Sequence, residues 1–202
     1  MLLNAEFYTQ NDVVSIARQL IGKVLFTRIN NEVCSGIITE TEAYAGISDK
    51  ASHAYGNMRS KRTEVMYREG GIAYIYLIYG MHSLFNVVTN IQEIPHAVLI
   101  RSIFPLEGLE AMQKRKKGAE ITYKAGIGPG RLSKILGIDY SMSGMHLHKT
   151  ENGNAIWIED QGNFIQQDKL NVGKRIGIDY AGEDADLPYR FWIDQDGIEL
   201  TK

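Results

Sequence analysis

Cysteine is nearly absent from this chain of 202 residues, which contains only Cys34. One cysteine cannot form an internal disulfide, and it cannot supply the set of thiolates that a zinc or iron–sulfur cluster requires. No apolar run approaches the roughly 20 residues that span a bilayer, and residues 1–8 lack the basic start and the apolar region of an export signal. We therefore expect a soluble cytoplasmic protein, free to associate with the nucleoid and not with membranes.

Internal repeats, low-complexity tracts and linkers rich in proline or glycine are also absent, and the chain has only four prolines. Its hydrophobic content of 44% is sufficient for one sizeable core. The length matches that of one domain, which is usually roughly 100 to 200 residues. We therefore expect a single domain over residues 1–202.

The net charge of −2 conceals an uneven distribution of charged residues. Residues 1–135 contain 16 Lys and Arg against 12 Asp and Glu, whereas residues 136–202 contain 6 against 12. Basic residues cluster at 59–62 and at 114–117. Such a distribution can present a positive face to phosphates, although a basic run at a helix end more often complements the helix dipole in solvent.

Residue periodicity predicts a mixed chain that is rich in strands. Thr9 followed by Asp12 resembles a capping box and predicts an amphipathic helix that ends at Gly22. Two further helices are predicted, one beginning at Pro105 and one from about Pro129 to residue 136. Runs of β-branched and aromatic residues predict strands at 23–29, 32–44, 73–79, 84–90, 97–104, 146–147, 155–159 and 189–193.

Two segments point to chemistry: ETEAY at 40–44 and YIYLIYGMH at 74–82. On a strand, Glu40, Glu42 and Tyr44 face one side because successive side chains alternate. A carboxylate beside a ring suits an enzyme that holds a flat ligand against aromatic surfaces while an acid activates water. Tyrosine-rich runs are also ordinary strand material, so the second segment alone more often indicates core.

The connection at residues 80–83 is short enough for a β-hairpin with Tyr79 and Met81 near its tip. Proteins that act on DNA push aromatic or apolar wedges into base steps, and enzymes that modify a base extrude it from the stack. An exposed ring at such a tip therefore indicates a DNA-inserting role.

Taken in order, these segments and several later ones resemble the alkyladenine DNA glycosylase family, also called the 3-methyladenine DNA glycosylase family. The likeness spans nearly the whole chain. Single residues that match are Asp49, His53, Arg62, Met66 and Asn86. The matching blocks besides ETEAY and YIYLIYGMH are VLIRSIFPLEG with Arg101, GPGRLSKILGI at 128–138, RIGIDYAGE at 175–183 and LPYRFWI at 187–193.

The resemblance implies an α+β fold: a single mixed domain with a curved, largely antiparallel β-sheet, flanking helices and a protruding, DNA-inserting β-hairpin. It implies a monofunctional glycosylase that flips alkylated or deaminated purines of the 3-methyladenine, 7-methylguanine and hypoxanthine type out of duplex DNA. Hydrolysis of the N-glycosidic bond then starts base-excision repair. The expected partner is double-stranded DNA containing damaged purines, the expected state is a monomer, and no cofactor is expected.

The resemblance also assigns roles to individual residues. Glu42 matches the acid that activates water, and Arg101 matches an arginine beside that water. The residues that match the pocket for the flipped base are Tyr44, His53, Tyr76 and Asn86. Tyr79, with Met81 beside it, matches the residue that fills the vacated space in the duplex. Asn86, an amide in an apolar run, is equally consistent with a structural hydrogen-bond network.

Contacts to the DNA backbone are expected from Arg62 and from the start of the last predicted helix. Gly130 can offer a free backbone N–H to a phosphate there, assisted by Arg131 and Lys134. A simple loop-to-helix turn explains the glycines equally well. His146 and His148 alternate on one face of a predicted strand, but two histidines without a third ligand make a weak site, so no metal is expected.

The chemistry agrees with these roles, because departure of a purine leaves an oxocarbenium-like sugar that a nearby carboxylate stabilises. Glu40 has no assigned role. Lys61, Thr63 and His82 depart from the better-known relatives in the loop and at the hairpin tip, where they bear on lesion preference and DNA affinity more than on the reaction. Two competing functions stay open: a non-catalytic binder of damaged DNA and a hydrolase of free purine nucleosides.

Overall fold

A computed structural model of the chain describes residues 1–149 and 153–199. The strands in this part of the chain are β1 (Val24–Ile29), β2 (Glu32–Tyr44), β3 (Ile72–Ile78), β4 (His82–Thr89), β5 (His96–Glu107), β6 (Ala155–Glu159), β7 (Phe164–Ile165), β8 (Asn171–Gly173), β9 (Arg190–Trp192) and β10 (Ile198–Glu199). The α-helices are α1 (Ala5–Tyr8), α2 (Val13–Leu20), α3 (Leu109–Arg115) and α4 (Pro129–Leu136). None of the helices described has the length and apolar character needed to cross a bilayer.

Eight of the strands form one curled sheet whose main order is β3-β4-β5-β2-β1-β6, with β9 beside β2 and β8 beside β9. All of the pairings in this sheet are antiparallel. The α+β class with a curved antiparallel sheet and flanking helices is therefore confirmed.

Strand β2 organises the sheet because it is bonded along both edges. β5 pairs with one edge, whereas β1 pairs with the first half of the other edge and β9 with residues 40–42. A strand whose backbone is bonded on both sides has little freedom to shift. The two candidate acids thus lie in a constrained part of the fold.

The two sides of β2 face different surroundings. The hydroxyl of Thr41 donates a hydrogen bond to the backbone oxygen of Ala17 on α2, at 2.8 Å, and Ala43 is part of the main hydrophobic core. Because side chains alternate along a strand, Glu42 and Tyr44 face the opposite side. This alternation separates the core from the candidate site.

The structure corrects the prediction of a helix from Pro105. Strand β5 continues through Pro105 to Glu107, and α3 begins only after Gly108, whose φ is +75°. The ladder between β2 and β5 shifts register between Ser35 and Gly36, and Gly36 is the partner of Pro105. A proline lacks the N–H of a regular ladder but is tolerated at such a bulge. The predicted strand at 146–147 is also wrong, since only an isolated bridge joins residue 146 to β3.

The predicted cap of the first amphipathic helix is wrong as well. The side chain of Asp12, not of Thr9, caps α2, because its Oδ1 accepts hydrogen bonds from the backbone N–H groups of Val14 (3.0 Å) and Ser15 (3.1 Å). Thr9 instead ends the short helix α1, and its hydroxyl donates to the backbone oxygen of Ala5.

We expect the substitution Asp12→Ala to lower the free energy of unfolding by about 1 kcal/mol, because two N–H groups of α2 lose their acceptor. Urea denaturation followed by circular dichroism measures the change. Thr9→Ala is the matched control and should have the smaller effect. An equal or larger loss for Thr9→Ala would contradict this assignment of the cap.

Candidate active site

A cavity of about 520 Å³ lies beside β2, β3, β4 and β5. Among the residues predicted for the reaction and the base pocket, five line it: Tyr44, His53, Tyr76, Asn86 and Arg101. Segments far apart in the sequence therefore converge on one cavity. Tyr74, Ile176 and Tyr180 also line it, although none of the three was assigned to the pocket from the sequence.

Glu42 is fully buried directly behind the wall of this cavity. Its Oε2 accepts a hydrogen bond from the hydroxyl of Tyr44 at 2.8 Å, and its Oε1 accepts one from the backbone N–H of Ile176 at 2.7 Å. The Nε of Arg101 lies 3.4 Å from the same Oε1. All three partners line the cavity, although Glu42 itself has no exposed surface.

The pKa of Glu42 is raised, and burial is the largest cause. The guanidinium of Arg101 and the two hydrogen bonds from Ile176 and Tyr44 oppose the rise, while the charge of Glu40 adds to it. A carboxylate with a raised pKa is a stronger base than one in water. A raised pKa is the property expected of a carboxylate that accepts a proton.

Three rings in contact with one another, those of His53, Tyr74 and Tyr76, form part of the cavity wall. The ring of His53 meets that of Tyr76 edge to face, with 4.6 Å between centroids, and its Nδ1 lies 2.8 Å from the hydroxyl oxygen of Tyr74. Tyr74 thus fixes the orientation of His53. Burial, with the nearby charge of Arg62, lowers the pKa of His53 to about 4. The imidazole is therefore neutral at pH 7, and it does not repel a positively charged ligand.

Asn86 has a structural role that the sequence left open. Its Nδ2 donates to the backbone oxygens of Tyr74 (3.1 Å) and Leu84 (3.3 Å). Two carbonyl partners fix the orientation of the amide, because an amide oxygen cannot donate to them. Since Asn86 also lines the cavity, a contact with a base stays a prediction.

Strands β3 and β4 form an antiparallel hairpin whose last pair is Ile78 and His82. The tip is Tyr79, Gly80 and Met81, and the two large side chains are 84% and 73% exposed. Tyr79 has a φ of +53°, a left-handed conformation that residues other than glycine adopt at a cost. Tyr79 also borders the cavity. A large exposed ring thus borders the cavity.

The four residues predicted to contact the DNA backbone occupy three places. Arg62 lines the cavity, with its guanidinium 5.9 Å from the centroid of the Tyr76 ring. Gly130 packs beneath His82 of the hairpin. Arg131 and Lys134, which are exposed on α4, line a separate recess of about 380 Å³ together with Lys116 and Lys124. Lys116 belongs to the basic run at 114–117.

The histidine pair at 146 and 148 shows ring centroids 5.2 Å apart. The part of the chain that the structure describes contains no group of three or more His, Cys, Asp or Glu residues placed to hold a metal ion. Nothing in the described residues therefore adds a third ligand to this pair.

A sequence model of the methylpurine-DNA glycosylase family matches residues 6–197 of the chain. The chain belongs to this family. The resemblance drawn from the ordered sequence blocks is thereby confirmed, and the protein is a DNA glycosylase by family.

Relatives of similar length support the assignment. A protein of Clostridium perfringens (strain 13) named "Putative 3-methyladenine DNA glycosylase" is 42% identical over 200 residues, which cover 96% of each chain. A protein with the same name from Natranaerobius thermophilus is 43% identical over 198 residues and 96% of each chain. One from Chlamydia pneumoniae is 42% identical over 193 residues and 95% of each chain.

A buried ion pair that sequence reasoning missed braces the site of this glycosylase. Arg175 donates to both carboxylate oxygens of Asp49 and to the backbone oxygen of Ala43. Its guanidinium lies 4.8 Å from the centroid of the Tyr44 ring. The pair thus fixes the ring of Tyr44. It also fixes Ile176, the residue after Arg175, whose N–H donates to Glu42. The partners are 126 residues apart, so no local pattern reveals them.

We expect Asp49→Ala to lower the free energy of unfolding by about 3 to 5 kcal/mol, because Arg175 is left buried without its counter-ion. Chemical denaturation of the purified protein measures the loss. The neighbouring pair of Lys50 and Glu183 is exposed, so Glu183→Ala is the matched control and should leave the transition midpoint nearly unchanged. Equal midpoints for the two variants would contradict the bracing role.

Proposed function

We propose that the protein is a monofunctional DNA glycosylase that hydrolyses the N-glycosidic bond of alkylated or deaminated purines in duplex DNA. The proposed substrates are lesions of the 3-methyladenine, 7-methylguanine and hypoxanthine type, and their removal starts base-excision repair. One observation carries the proposal: a buried carboxylate, Glu42, adjoins an aromatic cavity that is bordered by the exposed ring of Tyr79 on a hairpin.

In the proposed reaction, Glu42 accepts a proton from water while the water oxygen bonds to C1′ of the sugar. The purine leaves with the electron pair of the broken C1′–N bond. The developing positive charge on the sugar is stabilised by the nearby carboxylate, as in glycoside hydrolysis. Arg101 orients the water, which its position 3.4 Å from Oε1 of Glu42 supports. No lysine among the described residues lines the cavity, so we propose no Schiff base and no strand cleavage.

The cavity selects lesions by charge and shape in this proposal. A flipped base lies between Tyr44 on one side and His53 and Tyr76 on the other. A methylated purine that carries a positive charge gains about 0.5 to 2 kcal/mol over an aromatic face. The neutral state of His53 supports this preference, because a protonated imidazole would repel such a base. Asn86 lies beneath the purine ring and crowds the exocyclic amino group of guanine.

Duplex DNA is bound through charge and through the hairpin. Arg62, Gly130, Arg131 and Lys134 contact phosphates, and Tyr79 with Met81 occupies the space that the flipped base leaves. Such wedges stabilise an extruded base by replacing its stacking. The protein is proposed to act as a monomer and a single domain over residues 1–202, in the cytoplasm at the nucleoid.

We expect Glu42→Gln to slow base release by about 10²- to 10⁴-fold, because the amide cannot accept a proton from water. The measurement is single-turnover excision from a duplex that contains one 7-methylguanine or one hypoxanthine. Glu32→Gln, on the same strand and exposed, is the matched control and should keep the parental rate. Excision by Glu42→Gln at the parental rate would falsify the mechanism, and lesion binding by the parent without any release would favour a non-catalytic binder.

We expect Tyr79→Ala to weaken binding to a duplex that contains an abasic-site analogue, because the gap in the stack loses its filler. Aromatic stacking on bases is worth about 1 to 3 kcal/mol, so Kd should rise roughly 5- to 150-fold. Fluorescence anisotropy at fixed salt measures it. Tyr140→Ala removes another exposed ring, one that does not line the cavity, and should leave Kd unchanged. An unaltered Kd for Tyr79→Ala would rule out the wedge.

A further inference from the structure

Glu40 lies two residues before the proposed catalyst and has three hydrogen-bond donors around its carboxylate. Its Oε1 accepts from the Nε of Arg101 at 3.0 Å and from the Nε of Arg190 at 2.8 Å. Its Oε2 accepts from the hydroxyl of Ser102 at 2.8 Å. The side chain is only 13% exposed, and it does not line the cavity. Its carboxylate is therefore committed to protein groups, two of them cationic.

An irregularity in β5 creates this arrangement. Glu40 pairs with Ser102, the next residue Thr41 pairs with Ile100, and Arg101 between them has no partner in the ladder. Such a bulge re-aims the side chain of the extra residue. In a regular strand, Arg101 and Ser102 would point to opposite faces, but at this bulge both reach the carboxylate of Glu40. The bulge thus brings two of the three donors to the carboxylate, and Arg190 on β9 is the third.

Glu40 competes with Glu42 for the same nitrogen of Arg101. The Nε lies 3.0 Å from Oε1 of Glu40 and 3.4 Å from Oε1 of Glu42. No hydrogen bond joins either Nη of Arg101 to another described residue, although Arg101 lines the cavity. A guanidinium held at its Nε keeps its plane fixed and leaves the Nη groups for other partners. The stronger contact is made by Glu40.

We propose that Glu40 is a positioning residue: it holds Arg101 with its terminal nitrogens available to the cavity and prevents Arg101 from pairing fully with Glu42. This inference rests on the proposed function, because it assigns Arg101 a place beside the attacking water. Ser102 extends the effect, since its hydroxyl oxygen also accepts from the N–H of Gly128 at 3.2 Å. Gly128 precedes Pro129 in the cavity wall.

The charge of Glu40 gives the inference a signature in the pH profile. The ionisable groups that act on Glu42 are Arg101 on β5, Tyr44 and Glu40 on β2, Tyr76 on β3, and Arg175 and Tyr180 from the C-terminal segment. The charge of Glu40 raises the pKa of Glu42, and the hydrogen bond from Tyr44 lowers it. Removal of either group therefore shifts the ionisation of Glu42, in opposite directions.

The first test is the pH dependence of single-turnover excision of 7-methylguanine, a lesion whose own positive charge does not depend on pH in the acidic range. With Glu40→Gln, Glu42 stays ionised to lower pH, so the acidic limb moves to lower pH while the plateau rate falls about 10- to 100-fold. With Tyr44→Phe the acidic limb moves to higher pH. Glu40→Asp keeps the negative charge but shortens the side chain. The plateau rate should therefore fall, while the acidic limb of the profile should not move to lower pH.

The second test is a double-mutant cycle between Glu40→Gln and Arg101→Gln, with Glu32→Gln as the control for a charge removed elsewhere on β2. If Glu40 acts through Arg101, its substitution costs little in the Arg101→Gln background. A cost equal to that in the parent, or an acidic limb that does not move with Glu40→Gln, overturns the inference about Glu40 alone. Parental rates for both Arg101→Gln and Glu42→Gln would instead overturn the proposed function.

Discussion

The burial of a carboxylate at the centre of β2 is the constraint on which the rest of the site depends. A buried charge is costly unless hydrogen bonds and an opposite charge compensate it. For Glu42 the compensation comes from three separate parts of the chain: Tyr44 on the same strand, Arg101 on β5, and the N–H of Ile176 from the C-terminal segment. The site therefore exists only when the sheet and the C-terminal segment have both assembled, and its chemistry cannot be separated from the folding of the whole chain.

Two other carboxylates near Glu42 are also paired with arginines. Asp49 and Arg175 fasten the loop after β2 to the C-terminal segment, and Glu40 is neutralised by two arginines on different strands. The uneven distribution of charge along the sequence is thus related in part to ion pairs. Some of the acidic residues in the C-terminal third pair with lysines on the surface, as Asp186 does with Lys174. Arg131 and Lys134 on α4, in contrast, form no ion pair with any described residue. The recess beside α4 therefore carries positive charge that no described carboxylate pairs with at these two positions.

Much of the framework could be predicted because strong local patterns determine it. The bounds of β2, β6 and α4 agree with the sequence, since long alternating runs and a proline at a helix start are unambiguous. The predicted cap at Thr9 was wrong because Thr and Asp compete as caps, and Asp12 caps the helix. The predicted helix from Pro105 was wrong because a bulge allows β5 to continue through the proline. The contacts of the site that were missed have no local signal: the N–H of Ile176 belongs to the backbone, and Asp49 meets Arg175 across 126 residues.

The backbone at the hairpin tip has an unfavourable conformation. Tyr79 adopts a left-handed conformation, which costs an L-residue with a Cβ about 1 to 2 kcal/mol relative to the usual region. Glycine would occupy the same conformation without strain. Because the ring of Tyr79 is almost wholly in solvent, its packing stabilises the isolated protein very little. The fold therefore gives up stability at this point to keep a large aromatic group outside the core. Tyr79 therefore combines an unfavourable backbone conformation with a side chain that packs little within the protein.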